Sequence, residues 1–496
     1  MPTPLILLRR VLLCVAAGCL AAGATGFAAQ PAKPNVLIII SDDLNCRLGC
    51  YGAAEAKTPN IDRLAARGVR FDRAYCNYPV CNVSRTSFLS GRYPEVTGVL
   101  NNNTDPRIRL GRDFQFLPEY FRSQGYFAAG CGKIAHGSYN ATLKWDYYSE
   151  PQQGIDAEAG GGRAEKQGKN ARKAGKAGKG KAAAATRTGP DVPFGWQATK
   201  NDDAGEPDGQ TARRLLKYLS EHQGKPFFIA AGFHKPHVPH TAPEKYFALH
   251  EPAKMPTPPE PPGHEKDIPA IARAPKYEPN LSLEQRRAII QHYYAATSFM
   301  DAQVGLLLDE MDRLKLWDST VVIFMSDHGW HLGEHGGFYA KMSIMDESAR
   351  APLIAAGAGI KPAGVAKGMI EYVDVFPTLV EMTGLPKPAG LQGVSFAPLL
   401  REPGKPGRDA VYSIVMRGAT QAGRALHTPE FTYLEWPDGT QQLYNAIADP
   451  HEYVNLAKDP PHAGKLAEMK RALEQRRTEL GIADAELPER KGRRKQ

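Results

Sequence analysis

The chain has 496 residues, of which 42% are hydrophobic and 23% are charged, a balance typical of folded proteins and unlike that of disordered chains. The net charge of +9 is concentrated in residues 163–187 and 490–495, which contribute +8 and +5 and leave −4 for the remainder. A mildly acidic body with two basic tracts argues against nucleic acid as a partner and suits contact with polyanionic glycans instead.

Residues 1–29 have the pattern of a secretory signal peptide. Arg9 and Arg10 precede a short apolar run that ends among small residues near Ala28. No later segment is apolar and long enough to span a bilayer. We therefore expect an exported protein, periplasmic or secreted, without stable membrane insertion after signal removal. A retained anchor, or a lipid attached to Cys19, is the alternative.

Seven cysteines occur in the sequence, and removal of the signal would leave five of them. Because five is an odd number, at least one thiol cannot pair within the chain. The sequence does not decide whether the other four form disulfides.

Four segments share one pattern, a short apolar run that ends in polar, chemically capable residues. Each run has the length of a strand buried on both faces, and helical patterns lie between the runs. This alternation predicts an α/β fold with a mostly parallel sheet flanked by helices, whose polar strand ends meet at one edge. The four segments are residues 35–43, 127–136, 227–237 and 321–328, and the helical patterns are residues 61–68, 117–125, 211–222 and 283–314.

The domain organisation follows from shifts in composition. A catalytic domain is expected over residues 30–400, interrupted by a low-complexity basic insert at 151–190 and a proline-rich stretch at 252–279. Short strands and a terminal helix predict a smaller C-terminal α+β subdomain over 401–482, before a basic tail at 483–496. The elements expected in the subdomain are strands at 409–417, 431–436 and 441–447 and a helix at 465–480.

Carboxylates follow two of the predicted strands. Asp42 and Asp43 end the first run, and Asp327 and His328 end the last. Alone, each cluster is also compatible with turn or helix-cap acids. Three carboxylates at one sheet edge repel one another unless a cation neutralises them, and oxygen donors suit Ca²⁺ first and Mg²⁺ second. The sequence therefore predicts one hard divalent cation.

The segment from Cys81 to Gly91 combines a cysteine, an arginine four residues later and a helical run. A helix N-terminus at Cys81 would favour anionic oxygens. The segment resembles the Cys-x-Pro-x-Arg signature of the type I, formylglycine-dependent sulfatases, with Val83 in place of the usual proline.

Further segments extend this resemblance over residues 34–456 apart from the insert, most closely toward the iduronate-2-sulfatase group of the family. They include Gly-Lys-x-x-His at 132–136, His-Lys-Pro-His-Val-Pro at 234–239, and 326–336 followed by Lys341. The resemblance implies an alkaline-phosphatase-like large domain and hydrolysis of a sulfate ester on a sugar. It also implies a maturation enzyme that converts Cys81 to formylglycine.

Roles for individual residues also come from the resemblance. Arg85 would hold the formylglycine, Lys133 and Lys341 would neutralise sulfate oxygens, His237 would protonate the leaving oxygen and His136 would accept a proton. The resemblance gives no specific role to His234, His331 and His335, and the alternative is that they simply line the pocket. Glu334 has no assigned role. The implied metal ligands are Asp42, Asp43, Asp327, His328 and the formylglycine from Cys81.

Two other functions remain open at the level of sequence. A phosphomonoester or phosphonate hydrolase of the same superfamily would use the same fold. A catalytically weak protein that binds sulfated glycans would keep the cationic pocket and use the basic tracts for avidity, and Val83 is the feature that supports it.

Overall fold

The computed structural model describes residues 33–152, 155–156, 190–222, 225–273, 276–418 and 420–482. The predicted signal peptide, most of the basic insert and the basic tail lie outside the described residues. Within them, no helix is both long and apolar enough to cross a bilayer.

The strands are named here in chain order. They are β1 Asn35–Asp42, β2 Val69–Phe71, β3 Ala74–Tyr75, β4 Phe127–Gly132, β5 Tyr147–Ser149, β6 Pro151–Gln152, β7 Ile155–Asp156, β8 Trp196–Thr199, β9 Phe227–Pro236, β10 His240–Pro243, β11 Thr320–Ser326, β12 Leu353–Gly357, β13 Gly364–Ala366, β14 Ile370–Glu371, β15 Val411–Met416, β16 Ala422–His427, β17 Phe431–Glu435 and β18 Gln441–Asn445.

The α-helices are named in the same way. They are α1 Pro59–Arg67, α2 Cys81–Ser90, α3 Pro94–Thr97, α4 Pro106–Leu110, α5 Leu117–Ser123, α6 Pro207–Glu221, α7 Glu244–Phe247, α8 Leu283–Arg313, α9 Glu334–Gly337, α10 Asp346–Ala349, α11 Val375–Met382, α12 Ala397–Arg401 and α13 Ala463–Glu479.

A large mixed sheet organises the fold, with the strand order β13-β2-β12-β11-β1-β9-β4-β5. The four apolar segments of the sequence are its central neighbours β11, β1, β9 and β4, and they run parallel to one another. The antiparallel pairings lie on either side of β12. The predicted α/β class with a mostly parallel sheet is therefore confirmed.

Strand β1 shows why these runs lack the alternation of a half-exposed strand. Val36, Ile38 and Ile40 pack in one apolar cluster, whereas Leu37 and Ile39 pack in a second one on the opposite face. All five are at most 1% exposed, so both faces of the strand are covered by helices and loops.

A separate antiparallel sheet, β15-β16-β17-β18, follows near the C-terminus, with α13 behind it. The predicted strands and terminal helix are present to within a few residues, but β16 was not predicted. Its sequence contains Gly423 and no β-branched residue, so it lacks a strand signal. Trp436 packs so closely on Gly423 that an added Cβ would lie 2.4 Å from its ring. The predicted boundary at residue 400 stays a prediction.

The proline-rich stretch and the basic insert differ in how many of their residues the structure describes. Residues 252–273 and 276–279 form three short 3₁₀ turns, Pro252–Lys254, His264–Asp267 and Ala270–Ala272, as expected for a stretch without periodicity. The first described residues of the insert instead pair as β6 and β7. The insert is therefore not unstructured over its whole length.

Candidate active site

The carboxyl ends of β1, β4, β9 and β11 bring the predicted polar residues to one edge of the sheet. Asp327 Oδ1 accepts the backbone N–H groups of Asp43, at 3.1 Å, and His328, at 3.0 Å. Suitable ligand atoms of Asp42, Cys81, Asp327 and His328 lie within 4.8 Å of one another, and all four residues are buried. The predicted convergence of the two acidic clusters is thus present in the fold.

The buried carboxylates are held ionised by neighbouring cations. Burial alone would raise the pKa of Asp42, but Lys133 above all holds it well below its usual value. Burial opposes ionisation of Asp43 as well, and Lys341, whose Nζ lies 2.7 Å from Asp43 Oδ1, lowers that pKa. Reciprocally, Asp43 keeps the pKa of Lys341 well above its ordinary value despite burial. The site therefore holds fixed charges of both signs.

Cys81 begins helix α2 at the centre of this arrangement. Its Sγ lies 3.0 Å from Lys341 Nζ, 3.4 Å from His328 Nε2 and 4.0 Å from Asp43 Oδ1. Burial, reinforced by the carboxylate of Asp42, raises the pKa of the Cys81 thiol far above its ordinary value. The unmodified side chain is consequently a protonated thiol and a poor nucleophile at neutral pH.

Arg85 lies one helical turn after Cys81 and is fully buried. Its Nε donates to Asp327 Oδ2 at 3.0 Å, and Nη2 lies 3.5 Å from Asp42 Oδ1. Nη1 donates to the carbonyl oxygens of Lys133 and Ile134. Arg85 therefore connects the carboxylates to the loop after β4. The sequence suggests only a contact with the Cys81 position.

Lys133, His136 and His237 complete the predicted set. Lys133 Nζ donates to Asp42 Oδ2. His136 Nδ1 is buried and has no hydrogen-bond partner. His237 Nδ1 lies 2.6 Å from the Val238 carbonyl oxygen, and Nε2 lies 3.6 Å from Asp43 Oδ2. Because the His237 side chain is 32% exposed, the cluster reaches solvent at this residue.

The three less specific histidines lie differently. His234 is partly exposed, and its backbone N–H donates to Asp208 Oδ1 at 2.8 Å. His331 and His335 are completely buried near Glu334 and Glu347, in a separate cluster.

Several residues that position the site were not predicted. The Tyr293 hydroxyl, on helix α8, donates to the Asp43 carbonyl oxygen at 2.8 Å and accepts the Asn45 N–H at 2.9 Å. Ser326 Oγ accepts the Leu44 N–H and donates to the His328 carbonyl oxygen. Their contacts join segments roughly 250 to 280 residues apart, so no local pattern could have identified the tyrosine. The serine could have been noticed, since it adjoins Asp327 at a strand end.

The residues present fit a hard divalent cation. Asp42, Asp43 and Asp327 offer carboxylate oxygens, the donor type that calcium and magnesium prefer. Asp43 Oδ2 is buried without a hydrogen-bond partner, and Asp43 has a φ of 63°. A strained residue with an unsatisfied buried oxygen is the arrangement that a bound cation would complete.

Comparisons with known proteins identify the family of the chain. A family model described as Sulfatase matches residues 34–385, and one described as N-sulphoglucosamine sulphohydrolase, C-terminal, matches residues 333–479. A protein named Sulfatase from Formosa agariphila is 31% identical over 462 residues, which cover 89% of this chain and 86% of that protein.

Two further relatives have more specific names. Iduronate 2-sulfatase of Mus musculus is 32% identical over 405 residues, covering 71% of this chain and 69% of that protein. A solved structure described as a 2-O GAG sulfatase aligns with a TM-score of 0.69 at 26% identity, covering 90% and 93% of the two chains. The match over most of the chain confirms the predicted enzyme class and its fold, and the chain belongs to the sulfatase family.

Proposed function

We propose that this protein is an exported, metal-dependent sulfatase that removes a 2-O-sulfate from a uronic acid unit of a sulfated saccharide. The observation that carries the proposal is the Cys81 position, which is surrounded by Lys341, His328 and three buried carboxylates. Export rests on the signal-like segment at residues 1–29.

The cationic side chains suit a sulfate ester. Lys133 and Lys341 are held charged next to the Cys81 position, and Lys341 Nζ is only 3.0 Å from Sγ. A sulfate group placed there would meet fixed positive charges, which stabilise negative charge that shifts toward the leaving oxygen. The two lysines would bind and orient the sulfate, in competition with Asp42 and Asp43.

A calcium ion held by Asp42, Asp43, Asp327 and His328 would neutralise the carboxylates and polarise a sulfate oxygen. Formylglycine, made by oxidation of the Cys81 CH₂SH group to CHO, would supply a hydrate hydroxyl as nucleophile. The protonated thiol described above supports this assignment, since Cys81 itself lacks the thiolate needed for attack.

Two histidines are placed for proton transfer. His237 directs its Nδ1 proton toward the Val238 carbonyl, so the imidazolium form would carry a second proton on Nε2 and donate it from there to the leaving oxygen. His136 Nδ1 is unpartnered, and burial followed by Lys133 lowers the pKa of this histidine to about 3. His136 would therefore accept a proton as a neutral base.

The substrate class is supported by the relatives. The mouse relative is named for iduronate 2-sulfate, and the solved relative for 2-O-sulfate on glycosaminoglycan. The charged tract at residues 163–187, within the basic insert, is suited to retaining a polyanionic chain.

The test is a hydrolysis screen with the calcium-loaded, full-length protein. Disaccharides carrying 2-O-, 6-O- or N-sulfate are compared with the same sugars carrying phosphate. We expect the 2-O-sulfated uronic acid to show the largest kcat/KM. Preferred hydrolysis of phosphate or phosphonate esters would assign the chain to the other branch of the superfamily. Tight glycan retention without turnover in fully matured protein would identify a binding protein.

Maturation at Val83 can be tested separately. Val83 is the third residue of α2, in the first turn, where a backbone N–H has no intrahelical partner and proline is tolerated. Val83→Pro should therefore fold, and it should raise the converted fraction of Cys81 if the maturation enzyme reads that position. An unchanged converted fraction would show that valine is read equally well.

A further inference from the structure

A second cluster of metal-ligating side chains lies in the loop between β11 and β12, outside the site described above. Ligand atoms of His331, His335 and Glu347 lie within 4.8 Å of one another. His335 Nε2 is 3.2 Å from Glu347 Oε2. Both histidine side chains are 0% exposed, and the glutamate side chain is 14% exposed. The three side chains therefore form a compact and largely buried cluster.

His331 is the residue that the known chemistry leaves unexplained. Both of its ring nitrogens are buried and have no hydrogen-bond partner, and Nδ1 of His335 is also unsatisfied. Buried polar atoms without partners are costly, and an unseen ion or water is one way to satisfy them. The nearest carboxylate oxygen outside the triad, Glu334 Oε2, is 3.8 Å from His331 Nδ1 and already accepts the Leu332 N–H.

We propose that His331, His335 and Glu347 bind a structural Zn²⁺ ion. Two imidazoles and one carboxylate are zinc donors, whereas the oxygen-rich site at Asp42, Asp43 and Asp327 suits calcium. Zinc bonds of about 2.0–2.1 Å require neighbouring ligands about 3.3 Å apart, and the His335–Glu347 pair already has this spacing. Small side-chain rotations would bring His331 to the same distance, and water would take the remaining position.

The surroundings support a bound cation. His451 Nδ1 lies 3.8 Å from Glu347 Oε1, the oxygen that does not face His335, so it orients the proposed carboxylate ligand from outside. His335 has a φ of 57°, and Gly336 and Gly337 that follow it also have positive φ values. A metal bond at His335 would hold this strained turn in place.

The proposed ion would stabilise the loop that carries Lys341. His331 N–H donates to the Ala340 carbonyl oxygen at 3.1 Å, which links the cluster to the lysine's neighbour. Helix α10, which contains Glu347, closes the same loop. The zinc would thus fix the loop structurally without contacting the substrate.

The experiment measures zinc and calcium content after loading. Full-length protein is stripped with a chelator, incubated with excess Ca²⁺ and one equivalent of Zn²⁺, passed through gel filtration and analysed for both metals. We expect about one zinc per chain in the unmodified protein and less than about 0.2 in His331→Gln, with calcium unchanged. His292→Gln is the matched control, because His292 is also buried but stacks on Trp196 away from the triad, and it should retain zinc.

Two measurements keep the proposal falsifiable if His331→Gln does not fold. Co²⁺ loaded in place of zinc should give the visible absorption of a tetrahedral N/O site in the unmodified protein. Asp327→Asn should lose calcium and keep zinc. Zinc retention below about 0.2 per chain in the unmodified protein, or loss of zinc together with calcium in Asp327→Asn, would overturn the proposal.

Discussion

Two networks of buried charges can be compared in this molecule, and they differ in whether every carboxylate oxygen has a hydrogen-bond partner. The first is the site network at the sheet edge. The second lies where β14 and α11 meet the C-terminal sheet. Both combine acidic and basic side chains that are almost fully removed from water. The site network consists of Asp42, Asp43, Asp327, Arg85, Lys133 and Lys341, and the second network consists of Glu371, Asp374, Arg408, Arg476 and Tyr93.

The second network uses its acceptors fully. Asp374 Oδ2 accepts from Arg408 Nε at 2.7 Å and from the Glu371 N–H at 2.9 Å, and Oδ1 accepts from the Val394 N–H and again from Arg408. Glu371 Oε1 accepts the Tyr412 N–H at 2.7 Å. No oxygen of this acidic pair is left for a ligand, so the network is structural.

The site network contains buried polar atoms without hydrogen-bond partners. Asp43 Oδ2 is buried without a partner, Asp43 has an unfavourable backbone conformation, and His136 has a buried nitrogen without a partner. Burial and charge alone therefore do not distinguish the two networks. Of the two, the candidate site is the one with an unpaired carboxylate oxygen on a residue with a strained backbone.

The largest expected effect comes from removing the proposed nucleophile. Cys81→Ala should reduce turnover by about 10⁴-fold or more while leaving the fold intact, because no other side chain offers the same atom. Steady-state kinetics on a sulfated disaccharide and circular dichroism measure the two properties. Cys76→Ala is the control, since Cys76 is equally buried but packs in the hydrophobic core with its Sγ near the Ser348 carbonyl oxygen, and the variant should remain active. Residual turnover near the normal rate in Cys81→Ala would contradict the proposed role.

Loss of a metal ligand should have the next largest effect. Asp327→Asn removes one carboxylate charge and weakens the bond from Arg85, so calcium occupancy and activity should fall together, activity by about 10³-fold. Metal analysis and kinetics on the same sample check this. Full activity in a sample shown to contain no metal would mean that the site is misread.

Replacement of His136 by glutamine should lower the turnover rate by about 10²-fold. The pKa of His136 is lowered to about 3 by burial and then by Lys133 and Arg85, so the ring is neutral and able to accept a proton down to roughly pH 4. The pH profile of kcat/KM should therefore show no acidic limb near pH 6.5 that depends on His136. Such a limb, present in the unmodified enzyme and absent in His136→Gln, would contradict the assignment.

The structural network predicts the opposite pattern. Asp374→Asn leaves Glu371 as the remaining charge partner of Arg408 and should lower the free energy of unfolding by about 2 kcal/mol. Calcium content and kcat/KM per folded molecule should not change. Urea denaturation combined with kinetics below the transition separates the two properties, and a selective loss of metal would remove the distinction between the networks.

The smallest effect is expected for the basic insert. Deletion of residues 163–187, which lie outside the described residues, should leave the Tm and the turnover of small substrates nearly unchanged. Salt-sensitive retention on a polyanion column should weaken, because the tract carries +8. A cooperative loss of folding would show that the segment belongs to the core.

Sequence patterns predicted the four central strands and the convergence of the acidic residues at their ends, because both depend on local signals. The runs that became β1, β4, β9 and β11 are apolar on both faces, and their polar ends follow directly in the sequence. The role of Tyr293 could not be predicted, since it depends on a contact across about 250 residues. The hydrogen bonds of Asp374 come from residues at most 34 positions away, but no local pattern pairs it with Arg408. Strand β16 was missed because cross-strand packing of Trp436 on Gly423 replaces the usual β-forming side chains.

The central claim is that the Cys81 position becomes catalytic only after oxidation to formylglycine. The direct test measures the converted fraction of the Cys81 peptide by mass spectrometry in preparations made with and without a co-expressed maturation enzyme, together with kcat on one sulfate ester. We expect kcat to rise in proportion to the converted fraction and to extrapolate to zero at no conversion. Full turnover in a preparation whose Cys81 is entirely unconverted would contradict it.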